Sequence, residues 1–99
     1  MVPEDFFIEN ATMVLKSMAD ETRLKILLIL SKREMRAGEI ADKLLMSSSA
    51  VSHQLRILKS VHLVSSNRNG RNILYSLTDD HVKYIIQILK DHISEVYNA

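Results

Sequence analysis

Ser47-Ser48-Ser49-Ala50-Val51-Ser52-His53-Gln54-Leu55-Arg56 is the stretch on which the fold turns. Val51 and Leu55, followed by Leu58, are spaced four and three apart, the inward stripe of an amphipathic helix. Ser47 or Ser48 is placed to cap that helix, which extends to about Ser60. Ser49, Ser52, His53 and Arg56 fall on its other faces.

Upstream, Met35 to Leu44 reads as a short helix with Ile40, Ala41 and Leu44 inward, and Leu45 to Ser47 as a turn. Before it, Asp20 is a plausible cap for a helix over Glu21 to Ser31. That helix is apolar nearly all round, so it is expected to be the central buried one. Glu4 to Ser17 reads as the first helix, with Phe7, Ala11, Val14, Leu15 and Met18 at helical spacing. Downstream the period changes. Leu63 to Asn67 and Asn72 to Leu77 read as two strands, and Asn69-Gly70 as the two-residue turn between them. Thr78 is read as the cap of a last helix over about Asp79 to Tyr97, with Val82, Ile85, Ile86, Ile88, Leu89, Ile93 and Val96 apolar. The fold class is therefore mainly α with a small β-hairpin, in the order α-α-α-α-β-β-α. Two short helices joined by a tight turn and followed by a hairpin make a winged helix-turn-helix.

At 99 residues the chain is expected to be one domain, residues 1–99, with a core small enough that pairing through the terminal helices would complete it. There is no Cys, which removes disulfides, thiolate metal sites and thiol redox chemistry. No apolar run exceeds the five residues from Ile26 to Leu30, far short of a membrane span. A soluble, cytoplasmic protein with no membrane partner is expected. The net charge is only +1, but no Asp or Glu occurs from Lys43 to Thr78, a stretch that holds Lys43, Arg56, Lys59, Arg68 and Arg71. Residues 1–42 hold eight acids against six bases. A basic middle on an otherwise neutral chain is the footprint of a nucleic-acid face.

The chemistry of the quoted stretch suits that face. Ser47, Ser48, Ser49 and Ser52 can hydrogen-bond phosphates or base edges, and their small side chains let the backbone approach closely. A helix N-terminus attracts a phosphate. Gln54 can pair with adenine in bidentate fashion, and His53 can donate to a base or a phosphate. Arg56 adds a cation. The hairpin tip, Asn67-Arg68-Asn69-Gly70-Arg71-Asn72, presents Arg68, Asn69 and Arg71 toward phosphates or a minor groove. Each feature alone also fits an ordinary capped helix or a plain solvated hairpin; together they point to double-stranded DNA.

These residues also carry a resemblance. Ala19-Asp20-Glu21-Thr22-Arg23-Leu24-Lys25-Ile26-Leu27 resembles the opening of the ArsR/SmtB bacterial repressors. Ser49 to Lys59 resembles their recognition helix, and Val64 with Arg68 to Arg71 and Ile73 to Leu77 resembles their wing. The likeness covers roughly residues 5–97. It implies a homodimer that binds operator DNA, represses transcription and is released by an inducer.

Many members of that family sense metals through Cys-x-Cys at the start of the third helix. Here that place reads Met35-Arg36-Ala37-Gly38-Glu39, without a thiolate. The last helix instead carries Asp79-x-His81 and His92-x-x-Glu95, nitrogen and oxygen ligands suited to Zn²⁺ and possible for Co²⁺ or Ni²⁺. His81 and His92 are eleven residues apart, about 16 Å of helix rise, so one ion cannot touch both within one chain. In an antiparallel pair of such helices, Asp79 and His81 of one copy would meet His92 and Glu95 of the other. His81, His92 and Glu95 share an arc of roughly 60°, bordering the stripe of Ile85, Ile88 and Leu89. Asp79 and Asp80 also suit a helix start, and Glu95 a plain surface charge. The spacing resembles the interhelical zinc site of the family's zinc-sensing branch. That resemblance further implies that His62, through its backbone carbonyl, accepts a hydrogen bond from metal-bound His92 and couples the metal to DNA release.

The sequence holds no nucleophile elbow and no Gly-rich phosphate loop, and four protein ligands would leave zinc no open position, so no enzyme is expected. A repressor without metal sensing and a winged-helix protein-interaction module remain the alternatives.

Overall fold

Asp20 sets the frame: its extended backbone ends one helix and its carboxylate accepts the Arg23 N–H at 3.0 Å, starting the next. In the computed structural model, which describes residues 2–97, the helices on either side of this corner are α1 (Glu4–Met18) and α2 (Glu21–Leu30). They are followed by α3 (Ala37–Leu44), α4 (Ser48–Ser60), β1 (Val64–Asn69), β2 (Asn72–Leu77) and α5 (Asp80–Tyr97). The arrangement is a winged helix-turn-helix, as the sequence predicts. Ile26 and Leu27 of α2, Ile40 of α3, and Val51, Leu55 and Leu58 of α4 are all fully buried and form one cluster. Val64 and Leu63 close it from the wing side, and Val82 and Ile86 from α5.

Both helices of the helix-turn-helix end the same way. Leu45 follows α3 at φ 56°, and His62 follows α4 at φ 60°. Met46 N–H donates to the Ala41 carbonyl (3.0 Å) and Leu63 N–H to the Leu58 carbonyl (3.0 Å), the six-to-one bond of a Schellman ending. Glycine usually takes the left-handed place; here a leucine and a histidine do, each with some backbone strain.

Four local expectations change. The third helix begins at Ala37, not Met35. Met35 is extended and buried, and it exchanges backbone hydrogen bonds with Tyr75 (3.0 and 2.8 Å), a third rung beside the wing. The first strand runs from Val64 to Asn69, shifted from Leu63–Asn67. The turn residues are Gly70 and Arg71, not Asn69 and Gly70, because Asn69 pairs with Asn72 across the ladder. Only Gly70 takes positive φ (65°), as in a II′ hairpin, where glycine occupies the first turn position. Finally, Thr78 does not cap α5. Its N–H donates to the Leu63 carbonyl, and Asp79 Oδ1 accepts the His81 N–H at 2.9 Å.

The terminal helices are the loosest part. Of α1 only Ser17 and Met18 are buried, and of α5 only Val82 and Ile86. Phe7 and Leu15, read as part of an apolar stripe, lie uncovered, as do Phe6, Ile8, Ile88 and Val96. Among the described residues no helix is long and apolar enough to cross a membrane.

Candidate nucleic-acid interface

Helix α4 begins where Ser47, extended at φ −73°, ψ 151°, accepts the Ala50 N–H on its hydroxyl at 3.1 Å. No acidic residue lies in the first turn, so the partial positive charge at the helix start is left uncancelled. Ser47, Ser48 and Ser49 are exposed at this end. His53 and Arg56 are exposed one to two turns on, and Ser52 is half-buried beside them. With Val51, Leu55 and Leu58 buried, Ser49, His53 and Arg56 occupy the opposite face of the helix. In the wing, Arg68, Asn69 and Arg71 are all exposed at the tip. The Lys59 ammonium donates to the Ser66 hydroxyl at 2.6 Å and ties the end of α4 to β1.

Gln54 has an intrachain partner beside its expected role. It is half-buried, and its Oε1 accepts a hydrogen bond from Arg23 Nη1 at 2.9 Å. That bond occupies one of the two lone pairs of the amide oxygen and leaves the NH₂ free of it. Arg23 is the residue that sequence reasoning missed. Its Nε donates to the Ser17 carbonyl at 2.7 Å, so one guanidinium joins the end of α1 to the recognition helix. Its side chain is only 18% exposed. The partners lie 31 residues apart, and no local pattern announces the pairing.

Near the start of α3, the Glu39 carboxylate takes hydrogen bonds from Arg33 Nη2 at 3.1 Å and from the Arg36 backbone N–H at 3.3 Å. The Arg33 hydrogen bond, with the Arg36 backbone bond second, holds the Glu39 carboxyl below the usual glutamate value.

The four metal-ligand candidates lie on α5 as two halves. Asp79 and His81 stand together, with Nδ1 3.3 Å from Oδ1, and the His81 ring is 85% exposed. His92 and Glu95 are exposed one helical turn from each other near the other end. Among the described residues, no three His, Asp or Glu side chains come together to hold an ion. Nor does any side-chain hydrogen bond join His62 to His92 within the chain.

A capped recognition helix, a three-residue turn before it and a basic wing define a winged helix-turn-helix regulatory module. Residues 20–66 match the family model described as the bacterial regulatory protein, arsR family. The chain is 43% identical over 79 residues to the transcriptional repressor SmtB homolog of Synechocystis, an alignment spanning 80% of this chain and 60% of that protein. It is 37% identical over 80 residues to the transcriptional activator HlyU of Vibrio cholerae, spanning 81% of this chain and 74% of HlyU. In structure it is similar to the homodimeric winged helix-turn-helix DNA-binding domain of a Mycobacterium bovis protein, with a TM-score of 0.81 and 28% identity. That match covers 90% of this chain and 86% of the other. The chain belongs to the arsR family of bacterial regulatory proteins. The relatives it matches are transcriptional regulators, not enzymes.

Proposed function

We propose that this chain is a homodimeric transcriptional repressor that binds operator double-stranded DNA and releases it on binding zinc. The observation that carries the DNA half is the exposure of Ser47, Ser48, Ser49, His53 and Arg56 on α4 and of Arg68, Asn69 and Arg71 at the wing tip. No acid interrupts it between Lys43 and Thr78. Dimerisation through α1 and α5 is supported by their uncovered apolar residues, and by the similar domain that is named a homodimer. The chain functions as one domain over residues 1–99.

The donor set fits zinc as two half-sites. His81 and Asp79 at the start of α5 and His92 and Glu95 near its end supply borderline nitrogen and hard oxygen ligands. His81, His92 and Glu95 lie beside the face of α5 that a second copy would cover, and Asp79 immediately precedes the helix. Zinc held by Asp79 and His81 of one copy and His92 and Glu95 of the other would supply a cross-link between helices. The Asp79 carboxylate beside His81 Nδ1 also suits an orienting partner, which leaves Nε2 for the ion. His62 ends the recognition helix, so a hydrogen bond from His92 to its carbonyl would connect the cross-link to that helix.

The test is zinc stoichiometry on the purified protein, with and without a labelled operator duplex. Zinc is expected to bind and to weaken DNA affinity, and His92→Ala to abolish that response while leaving zinc-free DNA binding intact. DNA affinity that is unchanged with zinc bound would sink the release mechanism. Stoichiometric failure to bind zinc would leave a metal-blind repressor. Absence of duplex binding at any salt concentration would leave a protein-interaction module.

A further inference from the structure

Two clefts open side by side where the C-terminal end of α2 meets α5. One, about 360 Å³, is lined by Leu28, Ile29, Lys32, Met35, Lys43 and Lys90. The other, about 350 Å³, has Lys32, Lys83, Tyr84, Ile86, Gln87 and Lys90 in its walls. Lys32 and Lys90 belong to both, so the pair forms one two-lobed depression. Four ammoniums converge on it, and neither lobe is lined by a carboxylate. Among the described residues, none of Lys32, Lys43, Lys83 and Lys90 enters an ion pair. Asp91, next to Lys90 in the chain, accepts from Gln87 Nε2 at 2.9 Å, and Asp79 and Asp80 line a separate cleft on the other side of Lys83.

Like charges gathered in a concavity focus a positive potential into it. Beneath them, Leu28, Ile29, Met35 and Ile86 provide an apolar floor. The chemistry that complements both is an anion carrying an apolar body. Each lobe is large enough for a small molecule, because ligand pockets begin at about 300 Å³. We propose that this depression binds a small organic anion, an alkyl or aryl carboxylate or phosphate ester. Its charge would sit among Lys32, Lys83 and Lys90, and its apolar part against Leu28 and Ile86.

The position on α5 matters. Lys83 and Lys90 lie about 160–180° around the helix from His81. A second copy on the apolar face would therefore use the opposite flank, and the depression stays open in the dimer proposed above. The inference rests on that dimer only for this accessibility. The site does not involve the zinc ligands or the recognition helix.

The experiment titrates the isotope-labelled full chain with phenyl phosphate, octanoate and inorganic phosphate, reading backbone amide shifts. Phenyl phosphate or octanoate is expected to give saturating shifts at Lys32, Met35, Gln87 and Lys90, with Kd below about 1 mM. Inorganic phosphate is expected to bind at least about tenfold more weakly, because it has no apolar body. The double variant Lys32→Gln/Lys90→Gln, both exposed positions, is expected to lose binding about tenfold or more while its circular dichroism is unchanged. No saturation by about 10 mM would overturn the proposal. So would equal binding of inorganic phosphate, or shifts confined to Leu24, Leu89 and Ile93, the part of the adjoining apolar groove that does not share Leu28, Ile86 and Lys90 with the depression. If the double variant instead loses duplex DNA affinity as Arg68→Gln/Arg71→Gln does, and no organic anion binds, the lysines serve phosphodiesters and the proposal falls. Zinc binding and zinc-dependent DNA release are read separately, so their failure leaves this result standing.

Discussion

Replacing Arg23 by Ala tests whether one guanidinium holds the recognition helix to the rest of the domain. The substitution removes a donor to the Ser17 carbonyl at 2.7 Å and a donor to Gln54 Oε1 at 2.9 Å. Hydrogen bonds from a charged donor are worth about 1.5–3 kcal/mol each when buried. Arg23 is 18% exposed and Gln54 half-buried, so water recovers part of both, and a combined loss of about 2–3 kcal/mol is expected. The contact with Asp20 at 3.9 Å adds nothing to this figure, because Asp20 is more exposed and the separation is long. On a stability of about 5–15 kcal/mol the variant still folds, with Tm lowered by roughly 8–20 °C for a domain of this size. Urea denaturation reads the loss, at fixed protein concentration because association contributes to stability. Arg23→Lys is expected to recover less than half, since an ammonium cannot fork to two acceptors set by a planar group. A double-mutant cycle with Gln54→Met isolates the Arg23–Gln54 bond, for which a coupling of about 1 kcal/mol is expected. A loss below about 0.5 kcal/mol for Arg23→Ala, or a coupling indistinguishable from zero, would refute the bridge.

Three further perturbations follow from the same geometry. Leu45→Gly should stabilise the fold by about 0.5–1 kcal/mol by relieving φ 56°, with no packing to lose because the side chain is 93% exposed; a lower urea midpoint would contradict the reading. Arg68→Ala with Arg71→Ala should weaken duplex binding about equally across sequences and reduce the slope of log K against log salt by about 2; an unchanged slope would remove the wing from the phosphate contacts. Glu39 has a folded pKa below its unfolded value. Its contribution is therefore fully present above the ordinary glutamate pKa of about 4.3 and lost as pH falls through the lower folded value. The urea midpoint of the native protein should accordingly fall more steeply below about pH 4.3 than that of Glu39→Gln, and parallel curves would exclude the linkage.

Periodicity made the helices legible because each inward stripe is written within a few residues: Val51, Leu55 and Leu58 were readable as core and are fully buried. What escaped was set by partners far along the chain. Met35 opens the segment read as the third helix, yet its backbone is claimed by Tyr75, forty residues on. Asn69-Gly70 favours a tight turn by local preference, but the pairing of Asn69 with Asn72 moves the turn one residue forward. Gln54 has the right chemistry for adenine and the right helix. Its bond to Arg23 of α2 comes from 31 residues away and is written in no local pattern. Of the four candidate metal ligands, Asp79 and His81 touch, while His92 and Glu95 lie near the other end of α5. The proposed site would need a second chain to bring the two halves together.

The bonds that hold the reading surface and those that hold the terminal helices differ in kind. Around α4 the connections are many and directional: the Ser47 cap, the Arg23 fork, the Lys59–Ser66 bond and the Met35–Tyr75 rung, all over a fully buried stripe. Helix α4, the turn before it and the wing are therefore tied together by directional bonds over a common core. Helices α1 and α5 each contribute only two buried residues and leave their larger apolar faces uncovered, though Val14 also packs on the core and Arg23 holds the Ser17 carbonyl. Their placement is governed more by what covers those faces than by intrachain contacts. In the proposed dimer, a ligand on α5 would need to overcome little intrachain packing to shift one copy's α4 and wing relative to the other's. Changing the spacing of two recognition helices would suffice to weaken an operator complex, because half-sites are read at a fixed separation of about 34–36 Å. The proposed function thus places its sensing chemistry on one of the two helices that, for their length, the core restrains least.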